Sequence, residues 1–443
     1  MRTGTARILQ TNDEALRVVA SSARISTQQG TALEIYGHSG DREKDLKLVG
    51  KVLASGHKSV IEHQTFGVAF DDVSVLVEQF VIEFRLASFT VKSRRYVDFS
   101  GAGCVVPDGM NPEVREIYDG RIAALFRLYE RLLALDIPRE DARFVLPYGF
   151  RSNFYMTVNA RELIHMIAAM VVGRGSAWPE IKMLGEQLKV QFDALYPGAV
   201  DAELKHLPSE QPETCKAPIS AGKAVQSAVC IVSAPQQPMA LLEETLRFAD
   251  RFGALDPRAL LNDARPRELE VLNYTFRIDN VSLAAVTHFT RHRMLSLLLR
   301  HELSALSAGN YVLPKSIASN SAACGLYESA FADQAAAAAQ ARELGAADVE
   351  LDYFALAGHT TSILISMNAR ELLHFAKLRS CSRAQWEIRG IARTMIEQLN
   401  ATGAQPIFQY YGPTCAVTGR CPEGRMTCGH PVRIEDGVWK TQE

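Results

Sequence analysis

The sequence lacks three things: a strong charge of either sign, an apolar run that could span a membrane, and a regular cysteine framework. Its formal net charge of −2 over 443 residues gives no general attraction to nucleic acid or to an anionic membrane surface. The longest stretch without charge, residues 224–242, is interrupted by Pro235 and Pro238, so no bilayer span is expected. The first residues contain no apolar segment typical of a signal peptide. These absences predict a cytoplasmic protein without a membrane or polymeric nucleic acid as partner.

The eight cysteines are too few and too scattered in a chain of this length to form a disulfide scaffold. Five of them fit reduced thiols in a cytoplasm: Cys104, Cys215, Cys230, Cys324 and Cys381. The other three lie in the tail with an imidazole nearby, as Cys415, Cys421, Cys428 and His430. Such a set suits a structural, tetrahedral zinc ion. The spacing matches no standard zinc finger, however, and three reduced cysteines in a tail are equally ordinary, so both interpretations stay open.

What the sequence does contain is an internal repeat. Residues 159–165 recur as residues 368–374, at an offset of 209 (368 − 159), and both copies begin Asn-Ala-Arg-Glu-Leu. Two further landmarks keep an offset of 208 (280 − 72): residues 72–74 match 280–282, and residues 85–88 match 293–296. Spacing this constant predicts two halves that share one fold and pack about a pseudo-two-fold axis.

The length and the repeat together predict two domains. We expect a first domain at residues 1–205, a linker at 206–228 where periodicity is lost among prolines, a second domain at 229–410, and a cysteine-rich tail at 411–443. Within the first domain, the pattern predicts a short strand at 66–70 and helices over 73–84, 111–134 and 158–170.

Two segments combine cations with hydroxyl groups in apolar surroundings. Arg291-His292-Arg293 is followed by Ser296 and lies between aliphatic runs, and Ser93-Arg94-Arg95 precedes Tyr96 in the first half. Guanidinium groups in such surroundings are costly to bury unless an anion meets them, and their geometry matches phosphate oxygens. A helix that merely carries surface arginines is the alternative for the first of these segments.

At this point the chain resembles the flavin-dependent thymidylate synthases. The signature of that family runs Arg-His-Arg-x-x-Ser and ends in Ser-x-Arg-Tyr. The second half keeps the beginning, from Arg291 to Ser296, and the first half keeps the end, from Ser93 to Tyr96. Other family motifs are divided in the same way. Glu140-Asp141-Ala142-Arg143 is kept in the first half, whereas the Asn-Ala-Arg helix with a further Arg is kept as residues 368–379 in the second.

The resemblance implies an α+β fold present in two tandem copies, each with a mixed sheet and long helices. It also implies FAD as cofactor, with methylene-tetrahydrofolate as one-carbon donor and NADPH as reductant. The implied cofactor-binding residues are His57, Ser59, Glu62, Arg291, His292, Arg293, Ser296, Asn368, Arg370 and His374. The implied substrate-binding residues are Ser93, Arg94, Arg95, Arg143, His288, Arg291 and Arg379, of which Ser93, Arg95 and Arg379 are the expected catalytic residues.

Members of this family are homotetramers, so a fused pair of copies implies a homodimer equivalent to a pseudo-tetramer. The implied reaction is C5 methylation of a uridine monophosphate, with dUMP and UMP both open. The alternative is a flavin- or nucleotide-binding module without turnover, since motifs have been lost from each copy. Structural interpretations also stay open: Arg143 could form a salt bridge, Asn159 and Asn368 could cap helices, and His165 and His374 could be satisfied core histidines.

Overall fold

The structure, a computed structural model, describes residues 4–12, 14–205, 222–251, 256–299, 309–435 and 438–441. Among these, one compact unit comprises residues 4–12, 14–205 and 315–357. The other comprises residues 222–251, 256–299, 309–314, 358–435 and 438–441. Most of the predicted linker, residues 206–221, lies outside the described residues. No helix in the described ranges is both long enough and apolar enough to cross a membrane.

The first half of the chain forms four strands and nine α-helices within its described residues, besides short 3-10 helices. In chain order they are β1 (Thr5–Thr11), α1 (Ala15–Ile25), α2 (Ala32–Gly37), α3 (Arg42–Ala54), β2 (Thr65–Ser74), α4 (Val75–Ile82), β3 (Ala87–Val91), α5 (Pro112–Ala134), α6 (Arg139–Ala142), β4 (Arg151–Asn159), α7 (Ala160–Val171), α8 (Pro179–Asp193) and α9 (Ala199–Leu204).

The second half continues with a related series of elements. They are β5 (Ala224–Val225), β6 (Ala228–Ser233), α10 (Pro238–Phe248), α11 (Pro257–Asn262), β7 (Asn273–Ser282), α12 (Leu283–Phe289), β8 (Ser296–Leu299), β9 (Tyr311–Val312), α13 (Lys315–Ala318), α14 (Ser321–Glu343), α15 (Asp348–Leu351), β10 (Thr360–Asn368), α16 (Ala369–Arg379), α17 (Trp386–Asn400), α18 (Gln405–Phe408), α19 (Thr414–Thr418), β11 (Val432–Glu435) and β12 (Val438–Thr441).

Each half builds one four-stranded sheet with the same strand order, β1-β2-β4-β3 in the first and β6-β7-β10-β8 in the second. All neighbouring strands in both sheets are antiparallel, where a mixed sheet was expected. Residues of β4 alternate between buried and more exposed positions, so this sheet is covered on one face. Antiparallel sheets tolerate one solvent-facing side, whereas parallel strands are normally buried on both. The α+β class and the tandem repeat are confirmed.

The repeat extends to local backbone details. Asp72 and Asn280 both have positive φ, 53° and 56°, just before the end of β2 and β7. The next serine in each copy, Ser74 or Ser282, caps the following buried helix and is held by a buried glutamate on α8 or α17. Because β2 runs on to Ser74, the predicted helix over 73–84 begins only at Val75. Likewise Asn159 caps α7, so that helix begins two residues later than expected.

The long helix predicted at 111–134 is confirmed as α5, with the Asn111 side chain accepting a hydrogen bond from the Glu113 N–H at 2.9 Å. Its counterpart in the second half is α14, and α14 packs against α5 within the first compact unit. Arg121 on α5 donates to the Ala330 carbonyl and to the Gln334 side chain on α14, both at 3.2 Å. Residues 315–357 of the second half therefore complete the core that contains α5.

The buried imidazole of His359 should make the free energy of unfolding of the second unit sensitive to acid. Its side chain is 1% exposed, and burial lowers its pKa to about 3. Below about pH 6.5 the unfolded chain takes up a proton at this imidazole that the folded chain does not. The free energy of unfolding should therefore fall as the pH drops, by about 2 kcal/mol at pH 5 from this one group. Urea unfolding at pH 7 and pH 5 measures the effect.

Two variants serve as comparison. His359→Gln should lose less stability than wild type between pH 7 and pH 5, and His63→Gln, at an exposed position, should match wild type. Equal acid sensitivity of all three proteins would contradict the assignment.

Candidate active site

His292 lies in a turn that follows a buried helix. All seven residues of α12 are buried, including His288, and the chain then turns at residues 290–294 before β8 begins. Arg291 and Arg293 are exposed in this turn, whereas His292 between them is only 2% exposed. The turn thus presents two guanidinium groups outward and directs the imidazole into the core.

The imidazole of His292 lies between a carboxylate and a guanidinium from α16. Its Nδ1 is 2.9 Å from Glu371 Oε1, and the Arg379 Nε–H donates to its Nε2 at 3.0 Å. Burial lowers the pKa of His292, against the opposing effect of Glu371. The ring is therefore neutral at physiological pH, and the close carboxylate contact is a hydrogen bond rather than an ion pair.

The start of α16 places the other predicted residues of the second half. Asn368 caps the helix by accepting from the Glu371 N–H at 2.9 Å, so the capping interpretation is confirmed. Arg370 pairs with Glu270 and lowers the pKa of that carboxyl group. His374 is exposed on the same helix, with its ring centroid 5.5 Å from that of His292. The expectation of a core histidine is wrong here and at His165, because these helix faces turn outward.

In the first half, Ser93 to Arg95 forms a tight turn after β3. The Ser93 carbonyl accepts from the Val97 N–H at 3.0 Å, and the Ser93 hydroxyl accepts from the Arg95 N–H at 3.3 Å. The Arg95 side chain, 24% exposed, pairs with Glu140. Arg143 is 5% exposed and its Nε–H donates to the Glu140 carbonyl at 3.1 Å. The structure therefore brings two of the predicted arginines together around Glu140.

Arg94 differs from its neighbour. Its guanidinium pairs with Glu78 on the buried helix α4, and the two side chains are 10% and 1% exposed. The Ser152 hydroxyl donates to the second oxygen of Glu78 at 2.6 Å. Arg94 therefore anchors the turn to the core, a structural contact that the sequence motif did not reveal.

The predicted cofactor loop lies on the surface of the first unit. His57, Ser59 and Glu62 are all exposed, around the 3-10 helix Lys58–His63. Glu62 pairs with Arg161 at 2.7 Å, which repeats the pairing of Glu270 with Arg370 in the second half. Both copies thus keep this link between the loop and the Asn-Ala-Arg helix.

The first half does not reproduce the polar surroundings of His292. Glu83 stands at the position of Arg291, and it pairs with Arg174 at 2.7 Å. Phe84 stands at the position of His292 and Met170 at that of Arg379, and both are buried. An anionic dinucleotide needs cations and N–H donors. The second half, with Arg291 and Arg293 exposed in the turn whose His292 bonds to α16, fits such a ligand. The first half keeps Arg85 at the position of Arg293 but has Glu83 and Phe84 at the two preceding positions, which do not fit it.

The tail gives no support to a zinc site. The described residues contain no group of three or more His, Cys, Asp or Glu side chains placed to hold a metal ion, so Cys415, Cys421, Cys428 and His430 do not form one here. Cys428 instead hydrogen-bonds the Ser382 side chain, which lowers the pKa of the thiol.

Sequence reasoning missed the carboxylates that hold the arginines and His292. Glu78, Glu140 and Glu371 each contact a predicted residue, yet none was assigned a role. Glu371 lies within the Asn-Ala-Arg-Glu motif that both halves share, and that shared position was an available signal.

Comparison with known proteins gives a consistent result. The family "Thymidylate synthase complementing protein" matches residues 7–198 and again residues 250–402. The flavin-dependent thymidylate synthase of Geobacter sulfurreducens is 34% identical over 197 residues, covering 44% of this chain and 83% of the relative. That of Thermococcus onnurineus is 29% identical over 195 residues, covering 41% and 78%.

Among solved structures, the UMP/dUMP methylase PolB of Streptomyces cacaoi, bound with 5-Br dUMP, is 26% identical with a TM-score of 0.39. The match covers 45% of this chain and 95% of that chain.

Proposed function

Because the chain belongs to the thymidylate synthase complementing protein family, we propose that it is an FAD-dependent methyltransferase that methylates C5 of a uridine monophosphate. Its relatives carry the name flavin-dependent thymidylate synthase. The observation that supports turnover most strongly is the complementary loss of motifs. The second half keeps Arg291, His292 and Arg379, and the first half keeps Ser93, Arg95 and Arg143. Random decay of a mere binding module would not distribute the losses in this way.

We assign the nucleotide phosphate to the arginines, since a nucleoside monophosphate carries close to two negative charges. In the first unit, Arg95 and Arg143 converge on Glu140, so an arriving phosphate would compete with this carboxylate for Arg95. The Ser93 hydroxyl, which already accepts from the Arg95 N–H, can complete the oxygen contacts. These groups bind and orient the substrate.

We assign the flavin to the second unit, where Arg291 and Arg293 are exposed in the turn whose His292 bonds to α16. When bound, reduced FAD supplies the hydride that converts the one-carbon unit from methylene-tetrahydrofolate into a methyl group. Arg291 and Arg293 would neutralise the diphosphate of FAD. The protein would hold flavin, folate and nucleotide close together in the orientation that the reaction requires. NADPH as the source of electrons, a homodimeric assembly and a cytoplasmic location complete the proposal.

The proposal also concerns the sugar of the substrate, which is ribose in UMP and deoxyribose in dUMP. The family's signature has Glu two positions before the serine, and this chain has Val91 there, at the end of β3. We therefore expect the enzyme to accept UMP as well as dUMP. Reduced, FAD-loaded protein mixed with the folate donor and either nucleotide should show flavin reoxidation and a methylated product with both. Product from dUMP alone would overturn the broad specificity, and no product from either nucleotide would overturn the enzymatic function.

A further inference from the structure

The Glu371–His292–Arg379 triad lies wholly within the second unit and leaves His292 little access to a ligand. The imidazole is 2% exposed. The ring centroid of Phe375 lies 4.9 Å and that of His374 5.5 Å from the centroid of His292. Both ring nitrogens of His292 are bonded to the other members of the triad, Glu371 and Arg379. The family resemblance makes His292 a cofactor-binding residue. Its surroundings instead enclose it, so any influence on a bound ligand passes through a neighbour.

The hydrogen bonds fix the proton on this ring. Arginine Nε–H can only donate, so His292 Nε2 must be the acceptor at 3.0 Å. The proton of the neutral imidazole is then on Nδ1, where it donates to Glu371 at 2.9 Å. Arg379 thus donates to His292, and His292 donates to Glu371. Glu371 orients the imidazole and the imidazole orients the guanidinium, as a carboxylate orients a metal-bound histidine in other proteins.

The first half of the chain is an internal control for this arrangement. It has the same sheet order and the same capped helix, and it keeps the glutamate as Glu162. There, Phe84 replaces the histidine and Met170 replaces the arginine. Glu162 instead approaches His165 at 3.7 Å. Histidine and arginine were thus exchanged together for two apolar side chains while the glutamate and the fold stayed, which indicates that the two polar residues serve one purpose that the fold does not require.

We propose that His292 is a positioning residue that holds the Arg379 guanidinium in one orientation toward the uridylate substrate, and that it does not bind the flavin itself. This inference rests on the proposed function. The bond to His292 uses the Arg379 Nε–H, so the remaining N–H groups of the guanidinium lie outside that contact. A long side chain that is oriented before the substrate arrives loses less conformational freedom on binding. Glu371, about two turns before Arg379 in α16, anchors the triad.

The test uses variants that copy the first half: His292→Phe, Arg379→Met and both together, in the FAD-loaded full chain. His292→Phe should lower kcat about 10- to 100-fold, the range typical when an orienting partner is removed, and Arg379→Met should lower it at least as much. The double variant should be no slower than Arg379→Met alone, because His292 acts only through that arginine. His292→Gln, whose amide oxygen can still accept from Arg379, should restore part of the rate. Flavin absorbance should be retained in all variants.

Multiplying effects in the double variant, or loss of flavin from His292→Phe, would overturn the positioning role. If His292→Phe does not fold, His292→Gln and Arg379→Met carry the comparison. A second readout needs no turnover: the ¹⁵N NMR shifts of His292 should report an unprotonated Nε2, and that signal should move in Arg379→Met. An Nε2-protonated ring would contradict the triad even in an inactive protein. Normal shifts in a wild-type protein that makes no product would instead count against the proposed function.

Discussion

Arg94→Ala should lower the free energy of unfolding by about 3–5 kcal/mol, because it leaves the buried carboxylate of Glu78 without its counter-ion. Glu78 is 1% exposed on a helix whose residues are all buried, and the Ser152 hydroxyl alone cannot balance its charge. A shift of this size is a large part of the stability of most domains. Urea unfolding followed by circular dichroism measures it directly.

Arg95→Ala is the matched control, one residue further along the same turn. Its ion pair with Glu140 is partly exposed on both sides, so its removal should cost about 1 kcal/mol or less. The rate of methylation per folded molecule should instead fall more in Arg95→Ala than in Arg94→Ala. Equal stabilities of the two variants would refute the division of these neighbours into a structural and a functional arginine.

The second large effect is expected at Arg291. Arg291→Ala should reduce the rate of methylation by at least about 100-fold, as expected when a charged contact to an anionic ligand is removed from an active site. Because the side chain is exposed in the turn, the melting temperature should change little. Initial rates with reduced FAD, the folate donor and UMP provide the measurement.

Arg247→Ala is the surface control for this experiment. Arg247 lies on α10 in the same unit and pairs with Glu244, with both side chains largely exposed. It should retain full activity. A similar loss in both variants would point to a general effect of removing positive charge, and an active Arg291→Ala would remove Arg291 from the site.

The sequence repeat predicted the shared fold because it preserved positions with a definite physical task. Asp72 and Asn280 adopt the left-handed conformation that Asp and Asn tolerate better than most residues, and Asn159 and Asn368 cap equivalent helices. Such positions retain their residue types even when the chemistry nearby diverges. The offset of about 208 residues could therefore be read from the sequence, and with it the family.

Other features depend on contacts that no local pattern contains. Residues 315–357 join the first compact unit because α14 packs on α5, although they belong to the second repeat. The antiparallel pairing of all neighbours in the four-stranded sheets, and the choice of Glu78 as partner for Arg94, likewise follow from tertiary structure. Motif spacing predicted a set of arginines for the site but could not show which of them a buried carboxylate already holds.

The most direct test of the account is transfer of an isotopically labelled methylene group from the folate donor to C5 of uridylate, compared in wild type, Arg95→Ala and Arg291→Ala. Each substitution lies in a different unit of the chain. The account predicts labelled product from the wild type and at least about 100-fold less from each variant, with Arg95→Ala still binding FAD. A wild-type protein that binds FAD yet transfers no label, or a variant of either half that transfers it at the wild-type rate, would contradict the claim that one reaction needs residues from both halves.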